Sequence, residues 1–310
     1  MSAFSFNLSD FVFVWWSLLY EAIPFVALGA LVSGIMERCL SREGVARLFP
    51  RRRSVGILIS ALLGLVLPLC ECAVVPIVRR LIRKGVPVSC AVAYLLAAPI
   101  INPLVIASTV VAFRSQGGWY VAALRVGLGY LVTLIVAGVV WKLLGEENVL
   151  RAADAEPPAA HGHGVGERSS ALRDVLSVAA GEFITIGGIL AVGAAIAAAI
   201  NSGFSRQAIA PLADHPLLAV PGMMGLAMVL NLCSEADAFV AASFNAFPLA
   251  AKLAFLVLGP MVDVKLILMY SVVFRPRAVA TILGLVVVLV LVACLAAPLW
   301  LPLTDGSWLR

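Results

Sequence analysis

The chain has 310 residues, of which 62% are hydrophobic and 13% charged, and its mean hydropathy is +1.06. A soluble domain carries about twice that charge density, and uninterrupted apolar runs of about 20 residues are long enough to cross a bilayer. The composition therefore indicates an all-α polytopic membrane protein. The net charge of +5 does not indicate nucleic-acid binding, because the basic residues cluster in loops.

The first predicted span covers 12–36 and is followed by a basic loop at 37–53. Loops rich in Lys and Arg stay in the cytoplasm. We therefore expect this loop in the cytoplasm and the N-terminus outside.

The next two apolar segments, 54–69 and 73–83, are too short to span comfortably and have basic residues at both outer ends. They predict a re-entrant hairpin that enters from the cytoplasm, with Cys70, Glu71 and Cys72 near mid-depth. Non-helical backbone is tolerated there only where protein or water surrounds it.

The first half closes with two more predicted spans. Pro99 and Pro103 interrupt the segment 89–113, since neither fits inside an unbroken helix. The segment 119–142 then returns to the cytoplasm. Residues 1–142 form the first membrane repeat in this interpretation.

A polar stretch at 143–172 contains two adjacent prolines and a Gly-rich segment with His161 and His163. It predicts a flexible cytoplasmic linker, in which we expect the histidines to be inert.

The second half, 173–310, repeats the order of elements. The predicted segments are a span at 174–200, hairpin arms at 217–232 and 238–248, an interrupted span at 252–274 and a last span at 278–301. This half starts inside, whereas the first starts outside, and its last span leaves outward, so the C-terminus is also expected outside. The fold class is thus two inverted-topology repeats, each with about three transmembrane helices and one re-entrant helical hairpin, an architecture typical of secondary transporters.

Three cysteines are candidate substrate ligands. Cys70 and Cys72 can point to one ligand only from a non-helical tip, and Cys233 lies at the tip of the second predicted hairpin. Soft thiolates select trivalent arsenic, Cu(I) or Zn(II). The alternative is that these cysteines are small apolar residues, as we expect of Cys90 and Cys294.

Polar residues of the predicted membrane segments complete the candidate site, because such groups usually face a cavity. Glu71 and Asn102 are candidate substrate contacts. Asn102 and Asp263 could instead each cap a half-helix. The candidates for proton or ion coupling are Glu235, Asp237, Asp263 and Lys265. For Lys265 the alternative is snorkelling to the cytoplasmic edge. For the carboxylates it is a structural tie that holds the broken helix, either an ion pair between Asp263 and Lys265 or a bond from a Glu to the backbone. Glu21 and Glu182 are weaker candidates near the interfaces.

Four motifs in order carry a resemblance to a known family: LPLCECAVVP at 67–76, AAPIINP at 97–103, CSEADAF at 233–239 and GPMVDVK at 259–265. Over roughly 15–302, the chain resembles the predicted permease family that includes the ArsP organoarsenical efflux permeases. The resemblance implies a permease of the bacterial inner (plasma) membrane, so both termini are expected in the periplasm. Some members export trivalent methylated or aromatic arsenicals.

The leading hypothesis is a secondary permease, not an enzyme, that exports a thiophilic substrate. The substrate that fits best is a trivalent organoarsenical, exported by alternating access with proton coupling. The alternatives are another soft substrate, such as a transition metal ion or a sulfur-containing metabolite, and a membrane thiol-redox protein. We expect no catalytic residue, cofactor or nucleic-acid partner. The expected partners are the substrate and the lipid bilayer, and a homodimer is a possible assembly.

Overall fold

The computed structural model describes residues 7–39, 52–67, 69–144, 149–150, 168–203 and 216–300. Within these residues the backbone forms helices and their connections, apart from one isolated β-bridge between Leu150 and Phe274. The helices are α1 Leu8–Cys39, α2 Arg53–Leu62, α3 Glu71–Arg83, α4 Val88–Ala97, α5 Pro103–Ala112, α6 Gly118–Val139, α7 Arg168–Gly203, α8 Pro216–Leu230, α9 Ser234–Ser243, α10 Leu249–Leu258, α11 Val264–Val273, α12 Pro276–Leu295 and α13 Ala297–Trp300.

The all-α membrane class is confirmed. Among the described residues, four helices are long and apolar enough to cross a membrane: α1, α6, α7 and α12. Their outer faces expose large apolar side chains such as Phe13, Ile184 and Val292, as expected of surfaces that contact lipid. Helix α7 already begins at Arg168, so the end of the predicted linker 143–172 is helical, since no Gly or Pro interrupts 168–172. His161 and His163 lie outside the described residues.

Two pairs of short helices form the predicted interrupted segments. Helices α4 and α5 are separated around Pro99, and α10 and α11 around Pro260. Asn102 caps α5, because its Oδ1 accepts a hydrogen bond from the Leu104 N–H at 2.9 Å. Asp263 caps α11 in the same way, accepting from the Leu266 N–H at 2.6 Å. The capping role is confirmed for both residues.

Helices α2 and α3 have their outer ends at the same end of the molecule. Gly56, near the start of α2, lies against Cys90, near the start of α4, and Gly64 lies against Ala98. Helix α2 therefore runs alongside α4 in the same direction. The short turn 84–87 joins the end of α3 to the start of α4, so the end of α3 lies near the start of α2. The chain therefore runs away from this end of the molecule through α2 and returns to it through α3.

Helices α1 and α7 pack side by side in opposite directions. The backbone at Gly34, late in α1, lies so close to Val175, early in α7, that a Cβ would meet the Val175 carbonyl oxygen at 2.6 Å. Trp15, early in α1, donates from its indole N–H to the Ala191 carbonyl at 3.1 Å. The first long helices of the two halves are thus antiparallel.

Charged side chains join α1, α3 and α7 at one end of the bundle, which we call the basic end. Arg80 is buried and donates to Glu37 at 3.0 Å, to Glu182 at 3.2 Å and to the Ser33 hydroxyl at 3.3 Å. Lys84 lies 3.1 Å from the Glu37 carboxylate. This network fixes the outer end of α3 to both long helices.

Two other contacts define the ends of the bundle. The end of α11 reaches the basic end, since Val273 lines a small crevice together with Arg79. Arg275, directly after it, donates from Nε to the Leu150 carbonyl at 2.8 Å. At the opposite end, Lys252 in α10 donates to Gln116, just after α5, at 3.1 Å.

Replacing Gly29 by Ala should destabilise the protein. A Cβ there would lie 2.7 Å from the Ala73 carbonyl oxygen and 3.0 Å from its Cα, so α1 and α3 must separate. Overpacking of this kind costs about 1–3 kcal/mol. Thermal unfolding in detergent should show a lower Tm for Gly29→Ala, whereas Gly181→Ala, with nothing within 4 Å of its Cβ, should not lower it. Equal losses for both would contradict the close packing.

Candidate functional site

The starts of α3 and α9 meet in the interior. Glu71, the first residue of α3, accepts a hydrogen bond at its Oε2 from the Ser234 hydroxyl, the first residue of α9, at 2.9 Å. Cys70 and Cys233 precede them as the helix N-caps, both with extended backbone. We call 69–72 the first tip and 231–234 the second tip. Because both helices start here, their free N–H groups and positive dipole ends converge on one region.

Lys265 holds the two tips together. Its Nζ lies 3.0 Å from Glu71 Oε1 and 3.3 Å from Asp263 Oδ2, and it donates to the Asn231 carbonyl at 3.3 Å. The residue is 5% exposed. The snorkelling alternative for Lys265 is therefore wrong: the ammonium stays inside because two carboxylates and a carbonyl compensate its charge.

A narrow crevice lies beside this bridge and brings all three candidate cysteines together. It is lined by the charged and sulfur-bearing side chains Glu21, Cys70, Glu71, Cys72, Cys233 and Lys265, and by apolar residues of α1 and α7. About 10 Å³ of it is open, which is roughly the room for one water molecule. The site is thus closed in this conformation.

The thiols have defined neighbours. Cys70 and Cys72 are two residues apart at the first tip and line the same crevice. The Cys233 thiol donates to Glu235 at 3.1 Å, and Glu21 lines the crevice with it. Among the described residues, no group of three or more His, Cys, Asp or Glu side chains is arranged to hold a metal ion. The three thiols therefore line the crevice without forming a preformed metal site.

The remaining predicted residues surround the crevice without lining it. Asn102 donates to the Leu69 carbonyl at 3.4 Å and so ties α5 to the first tip. Asp263 reaches the site through Lys265. Asp237 is buried one turn into α9, and its Oδ2 has no hydrogen-bond partner.

Sequence reasoning missed several residues of the site. Glu21, which the sequence ranks as a weak candidate, lines the crevice together with the three cysteines. Asn231, with φ of 50°, shapes the second tip, and Asn tolerates this left-handed conformation better than most residues. Arg125 is buried in α6. A cation inside an apolar helix was the sequence signal that could have identified it.

Comparisons with known proteins agree on one family. The model of the predicted permease family ArsP_1 matches residues 7–298. UPF0718 protein YcgR of Bacillus subtilis is 41% identical over 280 residues, which cover 90% of this chain and 94% of the relative. A Streptococcus mutans protein, named as a proposed two-component membrane permease complex subunit, is 33% identical over 90% of this chain and 92% of its own.

A more distant relative, UPF0718 protein YraQ of Escherichia coli, is 25% identical over 49% of this chain and 42% of its own. No solved structure matches significantly.

Replacing Lys265 by Met should strongly destabilise the protein. Glu71 and Asp263 would lose the buried cation that both contact, and breaking such a pair from one side costs about 3–5 kcal/mol. Thermal unfolding should show a large drop in Tm. The exposed Lys142→Met is the matched control, with a change below about 0.5 kcal/mol. An unchanged Tm for Lys265→Met would contradict the bridge.

Proposed function

The chain belongs to the predicted permease family, and on that premise we propose that it is a secondary permease that exports a thiophilic substrate, most simply a trivalent organoarsenical. Permease membership makes the protein a membrane transporter. The substrate, the direction and the coupling ion are our proposal. It is carried by one observation, the lining of a single crevice by Cys70, Cys72 and Cys233.

The thiols that line the crevice favour a soft substrate whose own ligands can be exchanged for sulfur. Thiols bind trivalent arsenic in preference to hard cations. A trivalent arsenical with one carbon substituent has two exchangeable positions, which match the two thiols of Cys70 and Cys72 at the first tip. Each exchange forms an arsenic–sulfur bond, and the thiol proton leaves with the displaced hydroxide as water. Cys233, on the other tip, can replace one of these sulfurs as the cargo moves.

The architecture fits transport by alternating access. We propose that α2–α3 and α8–α9 are re-entrant hairpins of an inverted repeat, entering from opposite membrane faces and meeting at their tips. The antiparallel packing of α1 and α7 and the same-end location of the outer ends of α2 and α3 support this. Sites between broken helices near the bilayer midplane are typical of such transporters.

The orientation follows from charge. We propose that the basic end faces the cytoplasm, together with the linker 143–172, and that both termini are periplasmic in the plasma membrane. Arg79, Arg80 and Lys84 at this end fit the positive-inside rule. Besides a homodimer, a second subunit is an option, since one relative is named as part of a two-component complex.

Two rival functions remain testable. A transition metal ion would use the same three sulfurs, although the described residues form no group arranged to hold a metal ion. A sulfur-containing metabolite would use the same thiols. A thiol-redox protein is favoured only by the presence of Cys70 and Cys72 at the same tip, and it predicts a reversible disulfide between them.

The cysteine variants test the substrate proposal. Everted membrane vesicles with wild-type protein should accumulate methylarsenite or phenylarsenite. Cys70→Ser, Cys72→Ser and Cys233→Ser should each lower uptake, by about 10-fold or more, because a hydroxyl is a poor ligand for a soft centre. Cys294→Ser, a buried cysteine outside the crevice, is the matched control and should transport normally.

Full uptake by all three crevice variants would refute the sulfur site. Inorganic arsenite, Zn(II) and Cu(I) in the same assay separate the rival substrates. Proton coupling is excluded if collapse of the pH gradient leaves uptake unchanged.

Single-cysteine labelling tests the hairpins. In a Cys39→Ser background, which removes the exposed native cysteine, Gly85→Cys lies in the turn after α3 and should react with an impermeant maleimide only from the cytoplasm. Asn245→Cys, exposed after α9, should react only from the periplasm. Labelling of both from the same face would contradict the opposite insertion of the two hairpins.

A further inference from the structure

Arg125 is a buried cation that the proposed substrate chemistry does not use. It lies in α6 with 1% of its surface exposed. Its Nη1 donates to the Thr109 hydroxyl at 2.7 Å and its Nη2 to the Ser234 carbonyl at 3.0 Å. Arg125 thus anchors the second tip to the pair α5–α6 at Ser234, the residue after Cys233.

The anchoring extends across the site in one chain of contacts. Ser234 is bound through its carbonyl to Arg125 and through its hydroxyl to Glu71, and Glu71 is bound to Lys265. Moving Arg125 away from the Ser234 carbonyl would therefore release the second tip from its scaffold. The position of Cys233, the neighbour of Ser234, depends on this contact.

Two buried atoms near this anchor have no hydrogen-bond partner. They are Arg125 Nε, in the guanidinium that binds the Ser234 carbonyl, and Asp237 Oδ2, three residues after Ser234 on α9. An unsatisfied buried charge is costly, and native proteins rarely keep one without a reason.

The spacing on α9 supplies a reason. Asp237 follows Ser234 by nearly one helical turn, so both lie on the same face of α9. A shift of α9 by about one turn, roughly 5.4 Å, would bring Asp237 to the level that Ser234 now occupies. One-turn shifts of this kind are a known form of switching between packed helices. Gly259 leaves the Asp237 carboxylate room, since a Cβ there would lie 2.9 Å from Oδ2.

We propose that Arg125 is a positioning residue of the transport cycle and that it exchanges partners. In the closed conformation it holds the second tip through the Ser234 carbonyl. When α9 advances by about one turn toward its own N-terminus, Ser234 leaves Arg125 and Glu71, and Arg125 binds Asp237 instead. This inference rests on the proposed transport function, and it names the pair that stabilises the second conformation.

Transport kinetics in proteoliposomes test the exchange, with methylarsenite as the probe. Asp237→Asn should leave KM unchanged and lower kcat by about 10- to 100-fold, because only the open conformation loses its partner. Arg125→Gln should raise KM as well as lower kcat, since the tip itself is displaced. Arg125→Lys should recover most of the turnover, and Lys252→Gln, a buried cation at the end of the bundle, should behave as wild type.

A raised KM with normal kcat for Asp237→Asn would overturn the exchange, as would equal kinetics for Arg125→Lys and Arg125→Gln.

A double-mutant cycle needs no cargo and so separates this inference from the substrate proposal. Arg125→Gln should lower Tm because the second tip loses its contact at the Ser234 carbonyl and the buried Asp237 carboxylate loses a cation one helical turn away. The double variant Arg125→Gln/Asp237→Asn should be no less stable than Arg125→Gln alone. Additive losses would show that the two residues do not interact and would overturn the proposal even if methylarsenite is not transported.

Discussion

The ion pair between Glu71 and Lys265 is the interaction on which the interior depends. It joins the start of α3, in the first half of the chain, to the start of α11, in the second half, at an Nζ–Oε1 distance of 3.0 Å. Desolvating two charges is expensive, and the cost is offset only by good geometry and further hydrogen bonds. Ser234, Asp263 and the Asn231 carbonyl supply them.

Because these partners come from both tips, the bridge defines where the two halves of the chain can meet. The thiols of Cys70, Cys72 and Cys233 then lie in one crevice as a consequence, since they flank the bridged residues in sequence. The same arrangement explains why the crevice is closed: the bridge draws the tips together until about 10 Å³ remains. A cargo can enter only after some of these contacts separate.

Sequence patterns predicted much of this arrangement, and the reason is physical. Prolines and polar residues inside apolar runs are costly in a membrane, so their positions marked the breaks around Pro99 and Pro260 and the tips at Cys70 and Cys233. The capping roles of Asn102 and Asp263 followed from their position just before a half-helix. The inverted repeat and the membrane depth of the hairpins stay predictions.

The partners of the charged residues could not be predicted in the same way. The long side chain of Lys265 could have reached either the membrane edge or the interior of the protein. Only the position of Glu71 in the folded structure decides between these two locations. Glu21 lies far in sequence from Cys233, with which it lines the crevice, and Arg125 lies far from Ser234, which it binds. A charge inside an apolar helix signals a buried site, but the sequence does not say which element provides its partner.

The central claim, that sulfur ligands at the meeting point of the tips bind the cargo, is tested most directly by X-ray absorption at the arsenic edge. Purified protein loaded with methylarsenite should show arsenic–sulfur scattering in place of arsenic–oxygen scattering, and the triple variant Cys70→Ser/Cys72→Ser/Cys233→Ser should lose it. A wild-type spectrum without sulfur neighbours, or one that the triple variant leaves unchanged, would contradict the account.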